Sequence, residues 1–447
     1  MKSLKRKVMS MFLILVISLF VGNCISSKVN AATKPLLTEK KISVLKGQKQ
    51  RIGLLYNSKN AKWSVSNKRI KIVKKNNNYS IIKGIKKGDS VLTAKVGSKR
   101  YKCKIVVVEH KMTKGEKTAL TYAKDYISYN YGYNKKTLKD ELKINNCKSN
   151  EIKFALKYCG ADWYDEAVKF AKYEIKEYSY SMSSLKKYMK SNGFESKHYN
   201  YAVNNCNADW NKEALDKAVE DSKDYHYSEV QMRESLKEDG FNNSEIDYAI
   251  KNANIDWNNE ALEAAISWME DTVMSKQKLR DYLKEDGYSD TQVDYAITNA
   301  NIDWNKCALD DLKEDLKYSD SFYSSQYWVD TLVKEGYTID EANYAAANCG
   351  EDWNGNALKT LKEIIAYDKY LSRKEIVEKM SEDKYNETEI QYAINNSFLD
   401  WKENAKNRAK EYYEYYDSIE HITVVNYLER KGFTPEEAEY GATAAGF

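Results

Sequence analysis

The chain has 447 residues, including two prolines and 37 tyrosines, and its Lys and Arg exceed Asp and Glu by five. This length allows about three ordinary domains, and the scarcity of proline favours helices. The small net charge is the sum over two parts of the chain that carry opposite charges. Residues 1–110 hold 26 Lys and Arg against 3 Asp and Glu, a net charge of +23, whereas the remainder holds 45 against 63, a net charge of −18. An acidic excess repels phosphate, so the larger part argues against nucleic-acid binding.

The first residues have the pattern of an export signal. Four basic residues among the first seven precede an apolar run over about residues 9–21, which is shorter than a membrane span. Two endings remain open. Val29, Asn30 and Ala31 form a site for cleavage after Ala31, whereas residues 21–24 resemble a lipobox in which Cys24 would carry a lipid, although Asn23 suits that motif poorly. The first ending predicts a secreted chain and the second a chain anchored to the membrane.

Between residues 36 and 109 the pattern changes to short apolar or alternating runs separated by Gly and Asn. Runs of this length with frequent turn signals predict a small β-sandwich. The predicted strands are Ile42–Leu45, Arg51–Leu55, Ala61–Val65, Ile70–Val73, Ser80–Ile82, Ser90–Val96 and Tyr101–Val108.

This segment resembles the bacterial Ig-like group 2 domain. The resemblance rests on the WSVSN stretch at residues 63–67, on KGIKKGDSVLTA at 83–94, and on the closing strand of alternating Lys and apolar residues. It implies a spacer or adhesive module of a surface protein. The positive charge further suggests contact with anionic polymers of a Gram-positive wall through many weak attractions. The alternative is a merely solvated, lysine-rich surface.

An Asp-Trp pair recurs six times in the acidic part, at intervals of 47 to 49 residues. Such a period is the signature of a tandem repeat. The pairs are Asp162-Trp163, Asp209-Trp210, Asp256-Trp257, Asp303-Trp304, Asp352-Trp353 and Asp400-Trp401.

Other features recur at fixed distances before each Trp. Two apolar residues spaced by four predict one face of a helix, a Gly-aromatic turn ends it, and an aromatic-Ala pair lies in a second helix. The glycines are Gly193, Gly240, Gly287 and Gly336. Asn146 and Lys384 replace glycine in the first and sixth repeats, where we expect looser turns. The aromatic-Ala pairs begin at Phe154, Tyr201, Tyr248, Tyr295, Tyr344 and Tyr392.

The Asp of each pair is predicted to cap a third, longer helix, and the Trp to fill the space where that helix meets the preceding pair. We call each Asp-Trp pair a seam. Thr113 and Thr434 supply caps at the two ends of the array. The fold class is therefore multidomain, with an all-β Ig-like sandwich at 36–109, after a signal peptide at 1–31, and then an all-α tandem array of helix-turn-helix-like repeats. The predicted repeats are 113–161, 162–208, 209–255, 256–302, 303–351, 352–399 and 400–447.

The repeat signature resembles the Ltp-type repeat of host cell surface-exposed lipoproteins. That resemblance covers about residues 113–447 and implies repeats displayed outside the membrane. It also implies a role in phage superinfection exclusion, in which contact with an injected phage protein blocks entry of phage DNA. The added Ig-like domain and the imperfect lipobox depart from that family.

Cysteine and histidine usage does not indicate catalysis. Cys159, Cys206 and Cys349 align with Ala and Ser of other repeats, which predicts small buried side chains and mostly free thiols. Cys147 and Cys159 are the only pair whose spacing suggests a disulfide. Cys307 aligns with glutamates at what we expect to be an exposed position.

None of the four histidines has metal-ligand spacing, and no nucleophile, zinc or phosphate-loop motif occurs. We therefore predict a protein that is not an enzyme and has no catalytic, cofactor or metal residues. The predicted partner is a protein, such as a phage protein, or an anionic wall polymer for the Ig-like domain. Membrane contact is expected only through a lipid at Cys24. Two roles stay open, phage exclusion and a wall-associated adhesin or scaffold.

Overall fold

The computed structural model describes residues 34–413 and 420–447. Cys24 and Ala31 lie outside the described residues, so lipidation and cleavage there remain predictions. The chain divides into two compact units: one runs up to Tyr225 and includes Glu229–Ile255, and the other comprises His226–Ser228 and Asp256–Phe447.

The N-terminal part is a β domain of two four-stranded sheets, as predicted. One sheet has the order β1-β3-β6-β5 and the other β2-β8-β7-β4. Alternate residues of the strands point into a shared core that includes the fully buried Ile52, Ile82, Leu92 and Ile105. The strands are β1 (Leu36–Leu37), β2 (Lys41–Leu45), β3 (Lys49–Leu55), β4 (Ala61–Val65), β5 (Ile70–Lys75), β6 (Tyr79–Gly84), β7 (Gly88–Val96) and β8 (Lys99–Val108).

The described part of the remaining chain forms 21 helices in sets of three, which confirms the predicted fold class. The first three repeats contain α1 (Lys114–Ser128), α2 (Lys135–Ile144), α3 (Ser149–Tyr158), α4 (Trp163–Glu177), α5 (Met182–Ser191), α6 (Ser196–Val203), α7 (Trp210–Tyr225), α8 (Glu229–Glu238) and α9 (Asn243–Asn252). The next two contain α10 (Trp257–Asp271), α11 (Lys276–Glu285), α12 (Asp290–Asn299), α13 (Trp304–Tyr318), α14 (Ser325–Lys334) and α15 (Ile339–Asn348). The last two contain α16 (Trp353–Tyr367), α17 (Arg373–Glu382), α18 (Glu387–Asn396), α19 (Trp401–Tyr413), α20 (His421–Lys431) and α21 (Pro435–Ala445). Within the described ranges, no helix combines the length and the apolar character that crossing a bilayer requires.

The predicted apolar pairs form the centre of each repeat. In the fourth repeat Leu279 and Leu283 of α11 are fully buried and pack with Tyr288 and Val293. The first helix of every repeat adds fully buried alanine at its crossing with the third helix, and small side chains there let the two backbones approach closely. These alanines are Ala119, Ala167, Ala214, Ala261, Ala308, Ala357 and Ala405.

The turn after each second helix adopts the left-handed conformation that glycine favours. Gly193 has φ 95°, and the amide of Phe194 donates to the carbonyl of Met189, as in a Schellman motif. Asn146 and Lys384 also have positive φ, 58° and 63°, and the following amides make the same hydrogen bond. The expected loosening of these two turns is not seen, because both keep the hydrogen bond of the glycine turns and Tyr385 after Lys384 is buried.

Five of the second helices are tied to the next repeat through their N-cap side chains. Ser275 accepts from the amide of Lys278 and donates 2.6 Å to the carbonyl of Glu335, which ends the second helix of the next repeat. One buried hydroxyl thus satisfies backbone groups at two helix ends. Equivalent donations run from Asn134 to Asn192, Ser181 to Asp239, Ser324 to Asp383 and Ser372 to Lys431.

We predict that Ser275→Ala destabilises the chain by about 2 kcal/mol, because it removes a cap and leaves the Glu335 carbonyl without its donor. Ser289→Ala is the matched control, since Ser289 is exposed and caps only its own helix. It should cost about 1 kcal/mol or less. Urea unfolding measures both variants, and equal losses would contradict a role between repeats.

Candidate functional site

The seams place an acidic cap at the start of every long helix after the first. Asp256 accepts from the amides of Asn258 and Asn259, and Asp303 accepts from the amide of Lys306. The carboxylates of Asp209, Asp352 and Asp400 accept from the same turn of their helices. All of these are exposed, whereas Asp162 is only 8% exposed. The first seam is therefore covered by something that the others lack.

The seam tryptophans are half-buried. Trp163, Trp210, Trp304, Trp353 and Trp401 each pack against the core of the preceding repeat. The indole of Trp353 donates 3.0 Å to the carbonyl of Ala346 in that repeat. These contacts close each core against the next helix, which is a stabilising arrangement rather than a ligand platform.

The position three residues after the seam Trp is buried in four cases and half-buried in the other two, contrary to the exposure we expected. Glu166, Glu213 and Glu260 are at most 9% exposed. Glu166 accepts from the amide of Tyr133 and pairs with Lys169 at 2.6 Å, so its carboxylate covers the loop of the preceding repeat. Burial raises the pKa of Glu166 and Glu213. The first helical turn packs against the previous repeat, and the sequence pattern does not show that contact.

Cys307 occupies the same position and is also partly buried, and burial raises its pKa to about 11. The expected exposure of this thiol is wrong for the same reason. All six cysteines of the described residues are free thiols, so Cys147 and Cys159 are not bridged. Burial raises the pKa of Cys159 to about 11. These thiols stay protonated at neutral pH and pack as small apolar groups.

The third helices present one aromatic side chain per repeat to solvent. We call the tyrosines of the aromatic-Ala pairs, together with Tyr440 of the last repeat, the tyrosine row. Its exposed members, between 40% and 43% exposed, are Tyr248, Tyr295, Tyr344, Tyr392 and Tyr440. For Tyr248, Tyr295, Tyr344 and Tyr392, the hydroxyl has no hydrogen-bond partner among the residues that the structure describes.

The neighbouring alanine holds each row tyrosine in place. Ala296, next to Tyr295, is fully buried against the first helix of its repeat. Successive helical residues point about 100° apart, so a locked alanine turns the tyrosine outward. The side chain of Asn299 donates 2.7 Å to the carbonyl of Tyr295, and the same bond recurs in other repeats. The ring is thus presented from a rigid helix.

In the first two repeats, the equivalent aromatic is half-buried and contacts the β domain or its linker. Tyr56 meets Tyr201 edge-to-face with ring centroids 5.6 Å apart. His110 lies 5.0 Å from Phe154, which holds the row position in the first repeat. The chain therefore contains its own example of an aromatic partner bound at this row.

Polar contacts accompany that aromatic contact at the first seam. The side chain of Gln50 donates to the carbonyls of Gly160 and Ala161, both at 3.3 Å. Arg51 lies 3.7 Å from Asp162 and 2.7 Å from Asp165. The seam thus offers a carboxylate and two free carbonyls to a partner that carries an amide and a guanidinium.

We call the contact between the β domain and the first seam the joint. Burial at this joint raises the pKa of Asp162. Desolvation raises its pKa to about 7, which the Arg51 guanidinium counteracts only in part. Desolvation also lowers the pKa of the nearby His198 to about 4, so that imidazole is neutral at neutral pH. The aromatic cluster of Tyr164, Tyr201 and His198 therefore packs as an uncharged group.

The residue three before each seam Trp has a positive φ, and it is Gly or Asn in five of six repeats. Phe398 holds this position in the sixth repeat, with φ 56° and 94% exposure. This conformation costs a bulky residue about 1–2 kcal/mol. A strained and fully exposed aromatic at the end of the helix that carries Tyr392 suggests a contact outside the chain.

Sequence reasoning identified the seams and the repeated aromatics, but missed the serine contacts, the buried glutamates and the joint. The serines had a detectable signal, because Asn134, Ser181, Ser228, Ser275, Ser324 and Ser372 all lie 29 residues before a seam Trp. The joint had no such signal in the sequence, because Gln50 and Arg51 contact a seam that lies 110 or more residues later in the chain. Within the described ranges, no group of three or more His, Cys, Asp or Glu could hold a metal ion.

The fold defines a tandem repeat protein built from units of three helices. Two repeats match a family model: residues 209–253 and 256–300 match the Ltp family, described as host cell surface-exposed lipoprotein. This match supports the Ltp part of the resemblance for these repeats, and it supports a location at the cell surface.

Other comparisons add little. Among solved structures, the chain is similar to domains 4 and 5 of the S-layer protein SbsC, with 22% identity, coverage of 17% of this chain and 51% of that chain, and a TM-score of 0.15. The chain thus spans about half the length of that structure, and so weak a likeness carries no argument about fold or function. No curated protein matches the chain.

We predict that Asp162→Asn makes the stability of the joint less dependent on pH. A carboxyl whose pKa is raised on folding stabilises the folded state at low pH, and that contribution is lost as pH rises from about 4 through about 7. Asparagine keeps the helix cap without the buried charge. The variant should therefore gain roughly 2–3 kcal/mol relative to the wild type between pH 5 and pH 8, because part of the loss occurs below pH 5.

Calorimetry at the two pH values measures this difference. Asp256→Asn is the control, because it alters an exposed cap and should leave the pH dependence unchanged. If the difference in stability between the wild type and Asp162→Asn is the same at both pH values, the raised pKa of Asp162 is refuted.

Proposed function

We propose that this chain is a surface-displayed protein-binding repeat protein whose tyrosine row and seams form the binding surface. The observation that carries this proposal is the joint. There Tyr56 of the β domain packs against Tyr201, and Arg51 pairs with Asp162. The later repeats offer the same groups uncovered, with exposed row tyrosines and exposed seam carboxylates.

The chemistry of the surface selects the kind of partner. Tyrosine supplies a large rigid ring with a polar tip at a low cost in conformational entropy. The seam carboxylates and the acidic excess of the array favour a basic partner with exposed aromatic groups. Because the surface repeats, several weak contacts act together, and the affinity depends steeply on how many are present.

The Ltp resemblance gives this binding a biological role. We propose that the partner is a phage protein delivered during injection, and that its capture at the surface blocks entry of phage DNA. The match of the third and fourth repeats to a host cell surface-exposed lipoprotein family supports this role. The proposed role requires neither an enzymatic activity nor a cofactor.

We predict that a host carrying the chain admits less phage DNA than a deletion strain, while phage adsorption stays equal. The triple variant Tyr295→Ala, Tyr344→Ala and Tyr392→Ala should restore DNA entry, because three contacts that act together are lost. Entry of labelled phage DNA, measured across a panel of phages, is the readout.

The control is Tyr318→Ala with Tyr367→Ala, which removes tyrosines that are 77% and 96% exposed but lie outside the row. Exclusion should persist in that strain. Equal DNA entry in the wild-type and deletion strains for every phage would contradict the proposed role in phage exclusion. Loss of exclusion in the control strain would argue against the row.

A second candidate function is favoured by the charge of the β domain. Residues 36–109 hold 20 Lys and Arg against three Asp and Glu. We propose as the alternative that this domain attaches the chain to the anionic polymers of a Gram-positive wall, which makes the array an adhesin or scaffold. The full chain should sediment with purified walls at low salt and be released as salt rises, since such contacts are screened. Failure to sediment would remove this function.

A further inference from the structure

The outer face of the β2-β8-β7-β4 sheet carries cations in direct register. Lys62 of β4 lies opposite Lys95 of β7, and Lys95 lies opposite Arg100 of β8. On the same side of the sheet, Lys102 follows on β8, and Lys104 lies opposite Lys41. We call the six residues Lys41, Lys62, Lys95, Arg100, Lys102 and Lys104 the basic face. All six are exposed.

This arrangement is unfavourable for the fold itself. Neighbouring strands are about 4.8 Å apart, and like charges directly opposite each other destabilise a sheet. Only Lys104 of the basic face forms an ion pair within the described residues, with Asp89 at 2.8 Å. Lys95 therefore lies between two cations without a compensating carboxylate. A surface that stabilised only the domain would place an acidic residue here.

The other sheet has a similar row but a different neighbour. Lys83 of β6 lies between Lys49 of β3 and Lys71 of β5. That outer face also carries Arg51, which engages the first seam of the repeats. The basic face has no such contact among the described residues, so it is the open side of the domain.

We propose that the basic face binds a polyol phosphodiester polymer of the cell wall, with its chain laid across the four strands of this sheet. The proposal rests on the second candidate function and assigns it a surface and a ligand chemistry. Cations about 4.8 Å apart across the strands and about 7 Å apart along them form a lattice that a flexible polyanion can follow. Binding releases the counterions of the polymer and relieves the repulsion within the row.

The competing occupant is the acidic array of a second copy of this chain. Its 63 acidic residues are interspersed with 45 basic ones over residues 111–447, so its charge changes sign along the chain. Many of its carboxylates are also engaged in ion pairs within their own repeats, as Asp216 is with Lys212. A phosphodiester polymer carries one sign of charge along its whole length. Charge complementarity therefore favours the polymer.

The test uses the full chain and immobilised poly(glycerol phosphate), with neutral dextran as the blank. Lys95→Glu places a carboxylate between Lys62 and Arg100, so it should weaken polymer binding about tenfold or more and reduce its salt dependence. The same change should raise the melting temperature by a few degrees, because two repulsive pairs become attractive. Weaker binding in a more stable protein cannot result from misfolding.

Lys83→Glu is the matched control, since it makes the same charge change in the middle of the row on the other sheet. It should stabilise the domain similarly and leave polymer binding within about twofold of the wild type. Equal binding by the wild type and Lys95→Glu, or an equal loss in both variants, overturns the proposal.

Two further measurements separate the alternatives. If the wild type self-associates in sedimentation velocity and binds no polymer, a second copy is the occupant and the proposal fails. If the chain sediments with walls but Lys95→Glu does so equally, the wall function stands and the basic face does not carry it. If the chain binds the purified polymer through Lys95 but not intact walls, the face is supported and the wall function fails.

Discussion

The array depends on how the buried ends of its second helices are satisfied. A helix leaves free amides at its start and free carbonyls at its end, and burying them without partners is costly. Here the same side chain serves both kinds of group in different repeats. Ser372 caps α17 and donates 2.5 Å to the carbonyl of Lys431 at the end of α20. The last turn of one repeat is therefore completed by the first turn of another, so neighbouring repeats stabilise each other.

The exposed surface follows from this construction. The apolar pairs, the buried alanines and the seam tryptophans use the inward faces of the helices, which leaves the third helix to present one aromatic per repeat. Because Ala345 is locked against the neighbouring helix, Tyr344 is held outward from a rigid element. Repetition then multiplies a weak contact without a large cost of ordering. The contact of Tyr56 with Tyr201 is an example of such a ring packing against another aromatic side chain.

We propose two different tasks for the two oppositely charged parts of the chain. In this proposal the acidic array with its tyrosines binds a basic, aromatic protein surface, and the lysine rows of the β domain bind a polyanion. At the joint the two parts meet through Gln50 and Arg51 of one and the first seam of the other. Burial raises the pKa of Asp162 between them to about 7, so we expect this contact to depend on pH. The β domain thus remains attached to the array while its other sheet faces solvent.

The sequence by itself determined the features that depend on near neighbours along the chain. The apolar pairs, the left-handed turns and caps such as Thr338 before Glu341 are local, because each involves residues within about one helical turn of each other. The period is visible because these local patterns recur. The aromatic-Ala pairs were also visible, so the candidate surface could be named, although not which of its members are covered. Tertiary structure decided the rest. Glu166 was expected to be exposed and is buried, and Ser181 bonds a carbonyl 58 residues away. Burial and long-range hydrogen bonds depend on which surfaces meet, and no spacing within a single repeat records that.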